Sequence, residues 1–142
     1  MYLSKFTDYS FRTLVYLAEN KEKLATVEQL AKTLDVSEHH LKKVVHKLAK
    51  TGLIMSMKGR CGGLRLVLNP EDINLGKVLL ITEDNLNIAK CFNEESYCPF
   101  RKKGCKLRCI MNESLNAFLN QFSKYTLKDL LKNDNKDNSF NM

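Results

Sequence analysis

No stretch of this 142-residue chain approaches the roughly 18 consecutive apolar residues that a membrane span requires. Asp8 and Arg12 stand where a secretory signal would be apolar, so we expect a cytoplasmic protein with no membrane contact. The pairing C-x-x-C is absent, which removes the commonest structural zinc spacing and the thioredoxin-like redox motif. No nucleophile and base stand in a recognisable arrangement, and we expect no enzyme. The three histidines, His39, His40 and His46, lie among lysines, a setting that suits contact with DNA better than general-base work. Acid is missing altogether from His39 to Pro70.

What fills that gap is base. Seven basic residues (Lys42, Lys43, Lys47, Lys50, Lys58, Arg60, Arg65) fall between His39 and Pro70. The net charge of +7 is unevenly spread: residues 1–68 carry 12 Lys and Arg against 6 Asp and Glu, residues 69–142 carry 11 against 10. A positive field of this kind suits a polyanion, because each phosphate neutralised releases condensed counterions. A solvated basic surface is the plainer alternative. The length fits one compact domain, or a small reading domain with an appended helix, and excludes two large domains.

Leu3, Phe6, Ser10, Leu14 and Leu17 recur at helical spacing and predict an amphipathic helix from Tyr2 to Asn20, with Lys5, Asp8, Arg12 and Glu19 opposite. Thr26, three residues before Gln29, has the capping-box pattern and opens a short helix carrying Val27, Leu30, Ala31 and Leu34. After a turn at Asp35 and Val36, Ser37 is a good N-cap for a third helix whose narrow apolar stripe is Leu41, Val44, Val45 and Leu48. His39, Lys43, His46 and Lys50 then point away from the core, flanked by His40, Lys42 and Lys47. The runs Leu53 to Lys58 and Leu64 to Leu68 are β-prone and joined by Gly59-Arg60-Cys61-Gly62-Gly63, a hairpin by its glycines. The predicted fold is mainly α with a small β-hairpin wing: a winged helix-turn-helix over residues 1–68, its third helix in the major groove, Ser37 at that helix's start, Arg60 at the wing tip, and Lys58 and Arg65 beside it.

Residues 69–132 read as a connecting segment, a cysteine loop and a long C-terminal dimerisation helix; 133–142, rich in Asn and Asp, read as a disordered tail. The segment INLGKVLLIT fits a strand or a helix equally. From Lys106 to Tyr125, Met111, Leu115, Phe118, Phe122 and Tyr125 form a coiled-coil-like seam, which predicts a homodimer whose two-fold axis pairs the reading helices on an inverted-repeat, double-stranded operator. Of five cysteines, four fall within 19 positions: Cys91, Cys98 and Cys105 at equal gaps of six residues, then Cys109 at helical spacing. In a reducing cytosol this predicts metal binding or redox sensing, and zinc, an iron-sulfur cluster and a metal-free disulfide switch all stay open.

The opening FTDYSFRTLVYLA, the segment VSEHHLKKVVHKLAKTG, the wing GRCGGLRL, the three equally spaced cysteines and the ending FLNQFSKYTLKDLL together resemble the Rrf-type winged-helix regulators, most of all the branch that represses genes in response to nitric oxide. The resemblance implies a dimer with an iron-sulfur cluster, 4Fe-4S in preference to 2Fe-2S, held by Cys91, Cys98 and Cys105, with Asp8 of the partner subunit as fourth ligand. Cys109 is an additional thiol and an alternative ligand, and an ion pair with Arg12 is the alternative role for Asp8. A branch that senses cluster supply carries a histidine shortly after the third cysteine; Lys106-Leu107-Arg108-Cys109 has none. Cys61, at the wing, matches no ligand position of the family.

Overall fold

The computed structural model describes residues 2–93, 96–101 and 104–131; the expectation for 133–142 lies outside them. The first helix, α1, is Lys5–Glu19 and starts later than its periodicity suggests. Ser4 intervenes as N-cap, its hydroxyl accepting from the Thr7 N–H at 3.1 Å. Leu3 is therefore outside the helix and exposed, and the buried face is Thr7, Ser10, Thr13, Leu14, Leu17 and Ala18. Two of these polar residues are satisfied inside: Thr7 Oγ1 donates to Thr82 Oγ1 at 3.0 Å, and Ser10 Oγ donates to the Phe6 carbonyl at 2.7 Å.

Helix α2, Val27–Leu34, has both bonds of the capping box: the Gln29 N–H donates to Thr26 Oγ1 at 3.1 Å and the Thr26 N–H donates to Gln29 Oε1 at 3.0 Å. Thr26→Ala is expected to cost about 1 kcal/mol, read as a lower urea midpoint, with Thr26→Ser close to wild type. Asp35 closes α2 in the left-handed region, φ 52°, a conformation that Asp tolerates better than most residues. Helix α3, Glu38–Lys50, follows its Ser37 cap, and Leu41, Val44 and Leu48 on its inner face are wholly buried.

Strands β1, Ile54–Met57, and β2, Gly63–Leu66, pair antiparallel with Ile54 opposite Leu66 and Met57 opposite Gly63. They are shorter than the β-prone runs: Lys58 belongs to the turn, Gly63 joins β2, and Leu53, Val67 and Leu68 fall outside the strands. Gly59 takes φ +112°, a backbone conformation that strains any L side chain, and a Cβ on Gly62 would stand 2.3 Å from the Met57 carbonyl, so one glycine answers to conformation and the other to space. The Ala25 and Leu64 backbones exchange hydrogen bonds of 3.1 and 2.7 Å, which fixes the hairpin to the segment before α2.

The undecided segment is helical: α4 spans Leu75–Thr82. Asn74 explains the choice, since its Oδ1 accepts from the Lys77 N–H at 3.1 Å while its Nδ2 donates to the Ser123 carbonyl at 2.7 Å. Helix α5 is Lys106–Phe122, three residues shorter than the seam suggests. Beyond it the chain turns back: the Leu75 N–H donates to the Tyr125 carbonyl at 3.0 Å, the Leu127 N–H to the Ile73 carbonyl at 2.8 Å, and the Leu127 side chain is fully buried in the core. Lys128 Nζ lies 2.9 Å from Glu71 Oε2, a hydrogen bond and charge contact that hold the Glu71 carboxyl below, and the Lys128 ammonium above, their ordinary values. One hydrophobic core runs through α1, α2, α3, the hairpin and α4, whereas no residue of α5 is buried.

Candidate nucleic-acid interface and cysteine loop

Burial of Leu41, Val44 and Leu48 decides where the rest of α3 points. His39, His40, Lys42, Lys43, His46 and Lys50 are exposed and Lys47 half-buried, so the side chains expected to meet DNA do share the outer surface. Ser37 Oγ accepts from the His40 N–H at 3.3 Å and lies 3.0 Å from His40 Nδ1, which orients that imidazole at the start of the helix. Among the described residues the only ion pair on α3 is Lys42 with Glu38, at 3.6 Å between two exposed side chains, a contact of little energetic weight. Lys58 and Arg60 are exposed on the wing, as is Cys61 between Arg60 and Gly62.

Two neighbours of this face escaped the sequence pattern. A notch of about 470 Å³ is lined by His39, Lys42, Lys43, His46 and Lys47 of α3, and also by Phe6 of α1 and Asp84, two residues past α4. Phe6 was readable only as a core residue. Nothing in the spacing around Asp84 connects it with a helix that ended at Lys50.

The cysteines are placed separately. Cys91 lies in the 3-10 turn Lys90–Phe92; the Cys98 carbonyl accepts from the Arg101 N–H at 3.1 Å; Cys105 is the N-cap of α5; Cys109 stands exposed one turn on. The Arg108 guanidinium lies 5.6 Å from the centre of the Phe92 ring and so fastens the Cys91 turn to the first turn of α5. All five cysteines are free, and Cys91, Cys98 and Cys105 are half-buried. Among the described residues no three His, Cys, Asp or Glu side chains stand close enough to hold a metal. Asp8 Oδ2 is 3.0 Å from Arg12 Nη2, the ion pair weighed as its alternative role.

The α5 seam is divided. Phe122 packs on Phe118 and on Phe11 of α1, with ring centres 5.0 and 6.2 Å apart. Leu115, Phe118 and Phe122 also line a groove of about 530 Å³ against the connector after α4. The apolar side chains α5 leaves most open are Leu107, 62% exposed, and Ile110, 50% exposed, which the periodicity did not single out.

A capped helix pair, a third helix with a basic outer surface and a glycine-tipped hairpin define a winged helix-turn-helix protein of the DNA-binding class. Residues 3–133 match the Rrf2 family, described as iron-dependent transcriptional regulators, and the chain belongs to that family. It is 46% identical over 137 residues to the HTH-type transcriptional regulator NsrR of Halalkalibacterium halodurans, covering 96% of this chain and 94% of that protein. It is 42% identical over 134 residues to the regulator of the same name from Bacillus subtilis, covering 94% and 92%. Two solved structures share the fold: IscR of T. potens, TM-score 0.73 at 21% identity over 92% of this chain and 85% of that one, and CymR of B. subtilis, a global cysteine regulator, TM-score 0.67 at 24% identity over 92% and 95%. The chain is a transcription regulator, not an enzyme. Among the described residues no helix is long and apolar enough to cross a membrane.

Proposed function

We propose that this protein is a homodimeric, cytoplasmic repressor that holds an iron-sulfur cluster, 4Fe-4S in preference to 2Fe-2S, and releases an inverted-repeat operator when nitric oxide arrives. Residues 1–68 read DNA and residues 69–132 sense and dimerise. The observation that carries the reading is a single chain presenting the basic face of α3 on one element and three free, half-buried thiols before and at the start of α5 on another. Thiolate donors are the chemistry an iron-sulfur cluster requires. The donor set suits it, with Cys91, Cys98 and Cys105 as ligands, Asp8 of the partner subunit as the fourth, and Cys109 as the alternative. Bound there, the cluster would supply iron that reacts with nitric oxide.

The chain's own residues account for the coupling. Asp8 lies in the first turn of α1, its N–H donating to the Ser4 carbonyl at 3.0 Å, and α1 packs directly on α3. A ligand role for Asp8 across the dimer would therefore tie the loop of one subunit to the reading helix of the other, at the cost of the exposed Asp8–Arg12 pair, itself worth little. Specific operator binding exceeds non-specific binding by roughly 4–10 kcal/mol, and a full switch needs about 5.5 kcal/mol between states, so repositioning α3 is sufficient in scale.

The test is the visible absorption, iron and sulfide content of anaerobically purified protein before and after nitric oxide. A brown protein with stoichiometric iron and sulfide, bleached by nitric oxide together with operator release, supports the reading. A protein still colourless after anaerobic reconstitution overturns the cluster. Lys43→Ala is expected to weaken DNA binding by roughly 10-fold and lower the salt slope by about one, with iron content unchanged; equal loss of both would mean misfolding.

A further inference from the structure

The notch on α3 is not wholly basic. Asp84 lines it together with Lys42, Lys43 and Lys47, yet among the described residues none of these lysines stands within ion-pair distance of its carboxylate. Asp84 is exposed, so it draws little from the protein and contributes mainly a negative charge facing the same space. It is also held there. Glu83, the C-cap of α4, accepts from the Ser4 N–H through Oε1 at 2.7 Å, which fixes the connector to the N-cap of α1 immediately before Asp84. The negative end of the α4 dipole adds the same sign at this point. Seven residues further on stands Cys91.

We propose that Asp84 is an affinity-setting residue: its carboxylate repels the DNA phosphate that the lysines of the notch attract, and so limits how tightly the reading face holds any duplex. This rests on the reading of α3 as the DNA-contacting helix. The physics is a difference of two short-range terms. Lys42, Lys43 and Lys47 draw a phosphate into the notch, and a carboxylate across an open space of this size opposes it within about one Debye length, roughly 10 Å at 0.1 M salt. Because phosphate carries no sequence information, the opposition acts on operator and unrelated duplex alike. Such a residue keeps a basic regulator from being held on bulk DNA, where phosphate contacts supply nearly all the binding.

The experiment titrates fluorescent operator and unrelated 30-base-pair duplexes with wild type, Asp84→Asn and, as a control for overall charge, Glu22→Gln in the exposed turn after α1. Asp84→Asn should tighten both duplexes by about 3- to 10-fold near 0.1 M salt and by less than about 2-fold near 0.5 M, with unchanged melting temperature and visible spectrum. Glu22→Gln should change either by less than about 2-fold. Asp84→Asn no different from Glu22→Gln, or weaker than wild type, overturns the proposal while leaving the DNA-binding reading intact. Wild type that binds neither duplex, even after reconstitution, overturns both.

Discussion

Serine in place of Cys98 is expected to give a folded, colourless protein whose operator affinity is about 10³-fold lower, the near edge of the range separating specific from non-specific binding. The half-buried Cys98 thiol makes no disulfide, and among the described residues its carbonyl is engaged, accepting from the Arg101 N–H at 3.1 Å. Exchanging sulfur for oxygen therefore leaves the local backbone alone, and melting temperature should move by no more than a few degrees. What it removes is the soft ligand, because a hydroxyl does not replace a thiolate towards an iron-sulfur cluster. Cys91→Ser and Cys105→Ser should behave alike. Cys109→Ser should stay brown, since its thiol lies exposed one turn beyond the N-cap of α5. The informative contrary result is colour retained in Cys98→Ser and lost in Cys109→Ser, which would reassign the ligand set; colour retained in every single variant would locate the cluster elsewhere or exclude it.

The second large effect concerns α5. Helix α5 buries no residue completely, and Met111, Leu115, Phe118 and Phe122 are only half-buried, which suits the proposed dimer, since most helical stability in proteins comes from burying an apolar face. Leu107 and Ile110 are the apolar positions left most open, and full burial of each is worth roughly 1.5–3 kcal/mol. Ile110→Glu places a carboxylate in that face on both copies, so the dimer constant should weaken by at least about 100-fold, equivalent to some 2.7 kcal/mol. Sedimentation velocity should then show monomer at micromolar concentration, with operator binding reduced to that of a single half-site. A dimer that survives Ile110→Glu together with Leu107→Glu would remove α5 from the interface.

The N-terminal half was legible because its signals are local. Thr26 with Gln29 and Ser37 before α3 are caps whose partners lie three residues away, and both were readable in order. The α3 stripe was narrow enough that periodicity alone assigned inside and outside. Where reading slipped, a short-range rule met a long-range partner. Ser4 starts α1 later than the apolar period does, and Asn74 turns an ambiguous apolar run into α4 partly through a bond to Ser123. Leu127, buried completely, follows a helix in a segment with no period of its own, and only its pairing with Ile73 gives it a place in the core.

The sequence by itself determined the winged helix, the basic outer surface of α3 and the set of thiols, because caps, periodicity, glycines and charge act over a few residues. Tertiary structure decided which surfaces remain available. It sent Phe122 back onto Phe11, left Leu107 and Ile110 open on α5, paired Asp8 with Arg12, and brought Asp84 to the same notch as the lysines of α3. The physical reason is that packing against one side of an element fixes what its other side meets, and that partner can stand anywhere along the chain.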